Sequence, residues 1–149
     1  MSFPEVILDL IFPPKCPFCG VLLEKGELLC LECQKALPWL SGTAEETQVE
    51  LTAGCISLLR YEGKVREAVH RYKFGGESAL SRSLGGLMAQ RMKEKGVVVD
   101  LISWPSVSKR RRRERGYDQA ELLACEMGKV LGGLFNAPVC ETVFGSMSL

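Results

Sequence analysis

Two paired cysteine units near the N-terminus constrain the fold more than any other feature of the sequence. Cys16 and Cys19 belong to the unit CPFCG, Cys30 and Cys33 belong to the unit CLEC, and ten residues lie between Cys19 and Cys30. A C-x-x-C turn presents two thiolates to one metal ion, and a second turn completes a tetrahedral shell. The spacing therefore predicts a compact zinc ribbon whose zinc ion is structural, because four thiolates leave no open coordination position.

Other interpretations of these cysteines stay open, namely an iron-bound pair of knuckles, a redox-active dithiol, or unligated core cysteines. The remaining three of the seven cysteines, Cys55, Cys125 and Cys140, stand alone in the sequence, and we predict that they are buried thiols. Four paired and three single cysteines fit a reducing compartment better than a disulfide framework, which favours even counts. We therefore predict a cytoplasmic protein.

The N-terminus and the overall charge exclude several classes of protein. The apolar stretch before Pro13 contains Asp9 and follows no Lys or Arg, so it lacks the pattern of a signal peptide. No window approaches 18 apolar residues, so we predict no membrane span. The formal net charge is only +1, so any attraction to nucleic acid must depend on a local basic patch.

Apolar periodicity predicts alternating helices and strands, an α/β class. In the first third of the chain, a short helix is expected at 4–12, a polar linker at 41–50 and a strand at 51–61. Two helices should follow, one from Val65 to Tyr72 and one from Leu80 to a cap at Gly96. The remaining elements are a helix from Asp118 to Gly132-Gly133 and, before it, a strand at 97–104. The last strand is nearly unbroken in its apolar character, which is typical of a parallel sheet covered on both faces.

The basic segment at 106–120, SVSKRRRRERGYDQA, is predicted to be a loop between a strand and a helix. Ligands of open α/β sheets usually bind at this place, where helix-start N–H groups and guanidinium groups suit phosphate. A solvated basic loop and a nonspecific contact with nucleic acid are the open alternatives. The nucleic-acid candidates are Lys109, Arg110, Arg111, Arg112 and Arg113.

Three segments together resemble the ComF family: CPFCG with CLEC, YEGKVREAVHRYKFGG at 61–76, and RERGYDQAELLA at 113–124. The resemblance implies a zinc ribbon at 1–40 and a phosphoribosyltransferase-type parallel-sheet domain at 51–149. It also implies a reaction involving phosphoribosyl pyrophosphate in nucleotide metabolism, with magnesium accompanying that substrate in an intact relative, and a link to DNA uptake in bacterial competence. The residues that match the family's signature positions are the phosphate-binding candidates Lys73, Arg115, Gly116 and Gln119.

The sequence departs from the family in three ways. The family's usual Val-Pro-Val-Pro-like strand end is altered to Ser103-Trp104-Pro105. Tyr117-Asp118 stands where the family more often has Phe-Asn, and the two acidic residues followed by Thr-Thr-Gly that bind ribose and 5′-phosphate do not occur. We therefore expect an incomplete transferase-like domain, which leaves catalytic competence open and identifies no catalytic residue. The alternatives are a non-enzymatic zinc-ribbon adaptor that binds single-stranded DNA or a DNA-uptake motor such as a competence helicase, and an inactive truncated fragment.

Overall fold

The computed structural model describes residues 13–42, 45–48, 54–99, 101–105, 107–135 and 139–142. The chain divides into two compact units, Met1–Ala68 and Val69–Leu149. The predicted helix at 4–12 lies outside the described residues, and the domain limits predicted above stay predictions. Among the helices in the described part of the chain, none has the length and apolar character needed to cross a bilayer.

The described part of the first unit begins with a tight turn around the first cysteine pair. Lys15 and Leu22 form an antiparallel bridge, and the N–H of Cys16 donates to the carbonyl of Val21 at 2.8 Å. Helix α1 (Leu31–Ala36) starts directly after the first cysteine of the second pair. The apolar side chains buried with these turns are Phe18, Leu23 and Leu37. The predicted compact ribbon is therefore present, with a small apolar core of its own.

Two short strands follow the ribbon in the first unit. Strand β1 (Glu46–Thr47) pairs antiparallel with strand β2 (Cys55–Ile56). Part of the predicted linker at 41–50 is therefore a strand, and Glu45, which precedes it, is fully buried. Strand β2 is shorter than the strand predicted over 51–61. Among the described residues of that range, only Cys55 and Ile56 pair with β1.

Helices α2 (Gly63–Phe74) and α3 (Leu80–Glu94) confirm the two helices predicted in the middle of the chain. The boundary between the two compact units falls within α2. The C-terminus of α3 is capped as the sequence predicts: Gly96 has a φ of +65°, and its N–H donates to the carbonyl of Lys93 at 3.0 Å. A left-handed glycine after the last turn satisfies carbonyls that have no partner inside the helix.

The prediction of a loop across 106–120 is wrong, because this segment contains helix α4 (Lys109–Arg115). Ser108 is its N-cap, and its Oγ accepts a hydrogen bond from the N–H of Arg111 at 3.4 Å. Gly116 ends the helix in the left-handed conformation, with a φ of +80°. Lys, Arg and Glu are good helix formers, so a run of basic residues between a cap and a glycine forms a helix.

Helix α5 (Gln119–Phe135) starts where it is predicted, but it passes through Gly132-Gly133 instead of ending there. It packs closely against α3. A Cβ atom added at Gly85 of α3 would lie only 2.7 Å from Cβ of Glu126, so a side chain at this position would force the helices apart. Close helix packing therefore forms the centre of the second unit.

Strand β3 (Ile102–Pro105) pairs in parallel with strand β4 (Val139–Thr142). The prediction of a strand over 97–104 covered on both faces is wrong: the strand starts later, and Val98 is 74% exposed. The described residues thus combine helices with an antiparallel and a parallel pair of strands. The larger parallel sheet of a phosphoribosyltransferase-type domain stays a prediction.

Candidate metal centre and cationic pocket

The four cysteines predicted as metal ligands meet in one cluster. Their sulfur atoms all lie within 4.8 Å of one another, and Sγ of Cys19 is 3.5 Å from Sγ of Cys30. Zinc–sulfur bonds of about 2.3 Å in a tetrahedron place the sulfurs about 3.8 Å apart. The sulfur geometry therefore suits a zinc ion. The cluster consists of Cys16, Cys19, Cys30 and Cys33.

Local backbone structure positions both cysteine pairs. In the first turn, the N–H of Gly20 donates to the carbonyl of Cys16 at 2.9 Å, and Gly20 has a φ of +76° that favours glycine. In the second turn, Sγ of Cys30 accepts the N–H of Cys33 at 3.4 Å as the N-cap of α1. Each pair is thus held by its own turn, and the N–H groups partly neutralise the charge of the thiolates.

Burial and hydrogen bonding together determine the ionisation of the two innermost thiols. Cys16 and Cys33 are each 1% exposed. Burial opposes ionisation of Cys16, but backbone N–H groups, that of Cys30 foremost, outweigh it and lower the pKa of Cys16 to about 7. Burial, followed by the neighbouring sulfurs, raises the pKa of Cys33. A cation at the centre of the cluster would offset the cost of holding several thiolates together.

The turns and the cysteine cluster define the N-terminal part of the first unit as a zinc ribbon. Residues 7–44 match the family model of the double zinc ribbon domain. No curated protein matches the chain, and no solved structure does. The family match stops at residue 44, so it leaves the second unit without an assigned family.

The matched segment contains candidate ligands for one metal ion. It holds four cysteines and no histidine, and all four cysteines belong to the cluster. Cys55 lies beyond the match, and the prediction that it is buried is wrong, because it is exposed in the short strand β2. Cys125 is partly exposed, and the side chain of Cys140 lies outside the described part. Neither of the two lone cysteines with described side chains joins the metal cluster.

A second candidate site lies in the second unit. It is a pocket of about 290 Å³ that we call the cationic pocket, and it is lined by Lys73, Phe74, Gly76, Arg111, Glu114 and Arg115. Three of these side chains are cationic and one is a carboxylate, so the lining is net positive. The pocket brings together Lys73 and Arg115, two of the phosphate-binding candidates, from different helices.

The other two phosphate-binding candidates do not line the cationic pocket. Gly116 ends α4, and Gln119 is only 5% exposed. The Gln119 amide accepts a hydrogen bond from Nη1 of Arg115 at 2.9 Å and donates one to the carbonyl of Lys73 at 3.4 Å. Gln119 therefore contacts both cationic candidates but has each end of its amide occupied.

The turn after α4 also caps the end of α2. The hydroxyl of Tyr117 donates to the carbonyl of Tyr72, and the hydroxyl of Tyr72 donates to the carbonyl of Gln119 at 2.7 Å. Burial is the main cause that raises the pKa of both tyrosines, so both hydroxyls stay protonated and able to donate. These bonds join the end of α2 to the turn that follows α4, and the residues of α2 and α4 next to this junction line the pocket.

Asp118 caps α5, at the helix start that the sequence predicts. One carboxylate oxygen accepts the N–H groups of Ala120 and Glu121 at 3.0 and 3.2 Å, and the other accepts the N–H of Val107 at 3.0 Å. Asp118 is 3% exposed and does not line the cationic pocket. Its negative charge is therefore stabilised at the helix start.

The five nucleic-acid candidates all lie on α4 and are exposed, but their surroundings differ. Arg110 pairs with Glu114 at 2.8 Å, and Arg112 pairs with Glu121 at 3.2 Å. Arg111 lines the cationic pocket. The remaining two candidates are exposed: Lys109 at the start of the helix and Arg113 near its end.

Three residues of the pocket are not among the sequence-based candidates, namely Phe74, Gly76 and Glu114. The Cζ atom of Arg115 lies 5.0 Å from the centre of the Phe74 ring, a cation–π contact. Phe74 follows the signature lysine directly in the segment YKFGG, so its place beside Lys73 was a usable signal. Glu114 could be found only from the helical conformation of α4, which sequence analysis did not predict.

Proposed function

We propose that this protein is a ComF-like protein, in which a structural zinc ribbon accompanies a unit that binds a phosphorylated ligand of the phosphoribosyl pyrophosphate type. The zinc ion would order the ribbon and take no part in the chemistry, because four thiolates fill a tetrahedral shell. The ligand would occupy the cationic pocket, with Lys73 and Arg115 facing its pyrophosphate group.

A single observation supports this proposal most strongly. Two residues that the family resemblance assigns to phosphate binding, from two separate sequence segments, line the same net-positive pocket. Guanidinium groups bind phosphate oxygens through paired hydrogen bonds, and lysine adds a compact positive charge. The volume of about 290 Å³ suits a small anion such as pyrophosphate better than a large ligand.

The experiment is a titration of the zinc-loaded protein with phosphoribosyl pyrophosphate and with inorganic pyrophosphate, followed by calorimetry. Arg115→Ala should weaken binding about 10- to 100-fold, because a hydrogen bond to a charged group contributes about 1.5–3 kcal/mol. Arg66→Ala is the matched control, since Arg66 is an exposed arginine that does not line the pocket. Failure of the wild type to bind either ligand at millimolar concentration would refute the proposal.

Transferase activity is the next step of the same proposal. A phosphoribosyltransferase releases pyrophosphate when its acceptor attacks the ribose, so turnover would appear as pyrophosphate release that depends on a nitrogenous base and on magnesium. Binding without release, across the common bases, would favour a ligand-binding unit over an enzyme. The Arg115→Ala variant distinguishes release at the pocket from contaminating activity.

A second candidate function is binding of single-stranded DNA through the exposed face of α4, as part of a DNA-uptake apparatus or in contact with its motor protein. The five consecutive cations of this short helix favour it, although Arg110 and Arg112 have carboxylate partners. For single-stranded DNA, the logarithm of the affinity falls linearly with the logarithm of the salt concentration, with a slope of about −0.7 for each phosphate contacted. Neutralising Arg110 to Arg113 should therefore reduce the slope by about 3 if all four contact phosphates. An unchanged slope would refute this function.

A further inference from the structure

Arg115 is held in place on two sides by groups of this chain. Its guanidinium lies over the ring of Phe74, with Cζ 5.0 Å from the ring centre. Its Nη1 donates to Oε1 of Gln119 at 2.9 Å. An arginine side chain that binds an anion normally loses rotamer freedom on binding, and contacts made before binding reduce that loss.

Phe74 is a large apolar side chain that is 61% exposed. Its ring also contacts His70, one helical turn earlier on α2, with ring centres 4.8 Å apart. The ring therefore has a neighbour on its own helix as well as the guanidinium from α4. A ring fixed at the edge of the pocket presents a defined electrostatic surface to a cation.

Gln119 restricts the same guanidinium from the other direction. Its amide is itself oriented, because Nε2 donates to the carbonyl of Lys73 and the side chain is 5% exposed. It engages Nη1 of Arg115, and a guanidinium has five N–H donors in total. Donors therefore remain for a ligand in the cationic pocket.

We propose that Phe74 and Gln119 are positioning residues, which hold the guanidinium of Arg115 in the orientation that binds an anion in the cationic pocket. This inference rests on the proposed function, since it concerns the same pocket. It adds two side chains that act through their contacts with Arg115. Phe74 acts through its ring face and Gln119 through its amide oxygen.

The test measures the affinity of the zinc-loaded protein for inorganic pyrophosphate. Phe74→Leu keeps an apolar side chain but removes the ring, and it should weaken binding about two- to fivefold, the value expected for an exposed cation–π contact. Phe74→Trp should restore the wild-type affinity, because indole is the best partner for a cation. Tyr61→Leu is the matched control, since Tyr61 is also 61% exposed but does not line the pocket.

A double-mutant cycle separates positioning of Arg115 from a general effect on the pocket. In the Arg115→Ala background, Phe74→Leu should cause no further loss of affinity. An equal loss in both backgrounds, or an unchanged affinity of Phe74→Leu in the wild-type background, would overturn the inference. Melting temperatures of the single variants should match that of the wild type, because Phe74 is largely exposed.

An NMR measurement tests the restraint without any ligand. Side-chain protons of Arg115 over the ring face should resonate upfield of their usual positions, and Phe74→Leu should return them to those positions. Usual positions in the wild type would overturn the positioning role. Shifted Arg115 resonances in a protein that fails to bind pyrophosphate would overturn the proposed function alone, while the restraint on Arg115 would stand.

Discussion

We expect the chain to bind one zinc ion, and the loss caused by removing a ligand to depend on which cysteine is changed. Zinc binding by small zinc peptides contributes about 10–16 kcal/mol near neutral pH, so four equal ligands give about 2.5–4 kcal/mol each. Cys19→Ser should therefore weaken zinc binding roughly 100-fold or more. Cys19 is exposed, so water can occupy the vacated coordination position.

Cys33→Ser should weaken zinc binding more than Cys19→Ser does. Cys33 is 1% exposed, and a serine hydroxyl there would replace a thiolate in a place that water does not readily enter. Cys55→Ser is the matched control, because Cys55 is an exposed cysteine in the same unit that does not belong to the cluster. It should leave zinc affinity unchanged.

The assay is competition between the protein and a chromophoric zinc chelator, combined with native mass spectrometry to count bound ions. One ion per chain is expected, because the segment that matches the double zinc ribbon domain contains only four cysteines and no histidine. Two ions per chain, or equal affinity of the Cys19→Ser variant and the wild type, would refute the ligand assignment. Loss of zinc in Cys55→Ser would refute it as well.

Three further predictions concern stability and pH. Tyr117→Phe removes the hydroxyl that donates to the carbonyl of Tyr72. It should destabilise the second unit by about 1 kcal/mol and lower its Tm in calorimetry by about 4 °C. Tyr61→Phe, at an exposed position, should change neither the stability nor the Tm. Asp118→Ala removes the cap of α5 and the acceptor for the N–H of Val107. In urea unfolding, the free energy of unfolding should fall by about 2 kcal/mol. A fall of less than about 0.5 kcal/mol would contradict the capping role. In the same chelator competition, zinc affinity should fall about tenfold or more for each pH unit below 7, because protons compete with zinc for the thiolates. Burial raises the pKa of Cys33, so its thiol must release a proton when zinc binds. A flat pH profile would contradict thiolate ligation.

Several local features could be predicted from the sequence because a few neighbouring residues determine them. The helices at α2 and α3 follow from apolar periodicity, the end of α3 from Gly96, and the start of α5 from Asp118. Each of these features depends on contacts within about one helical turn. The helix at α4 depends on equally local signals, a serine cap and a glycine end, but the run of charges was interpreted as a loop.

Features that depend on pairing between distant segments were not predictable in the same way. The exposure of Cys55 and Val98 depends on which strands lie beside them, and a sequence pattern gives only the apolar character of the strand itself. Helix α5 also continues through Gly132-Gly133, although the low helix propensity of glycine alone predicts that it ends there. Tertiary context routinely overrides such weak local preferences.

The sequence by itself determined the cysteine cluster, because two short turns of fixed spacing bring their thiols together with little help from the rest of the chain. Only the tertiary structure decided what the phosphate-binding candidates do. It places Lys73 and Arg115 in one pocket, adds Phe74 beside them, and turns Gln119 away from the pocket to hold Arg115. The physical reason is that the pocket forms between helices far apart in the chain, where packing and hydrogen bonds across the helices set the direction of each side chain.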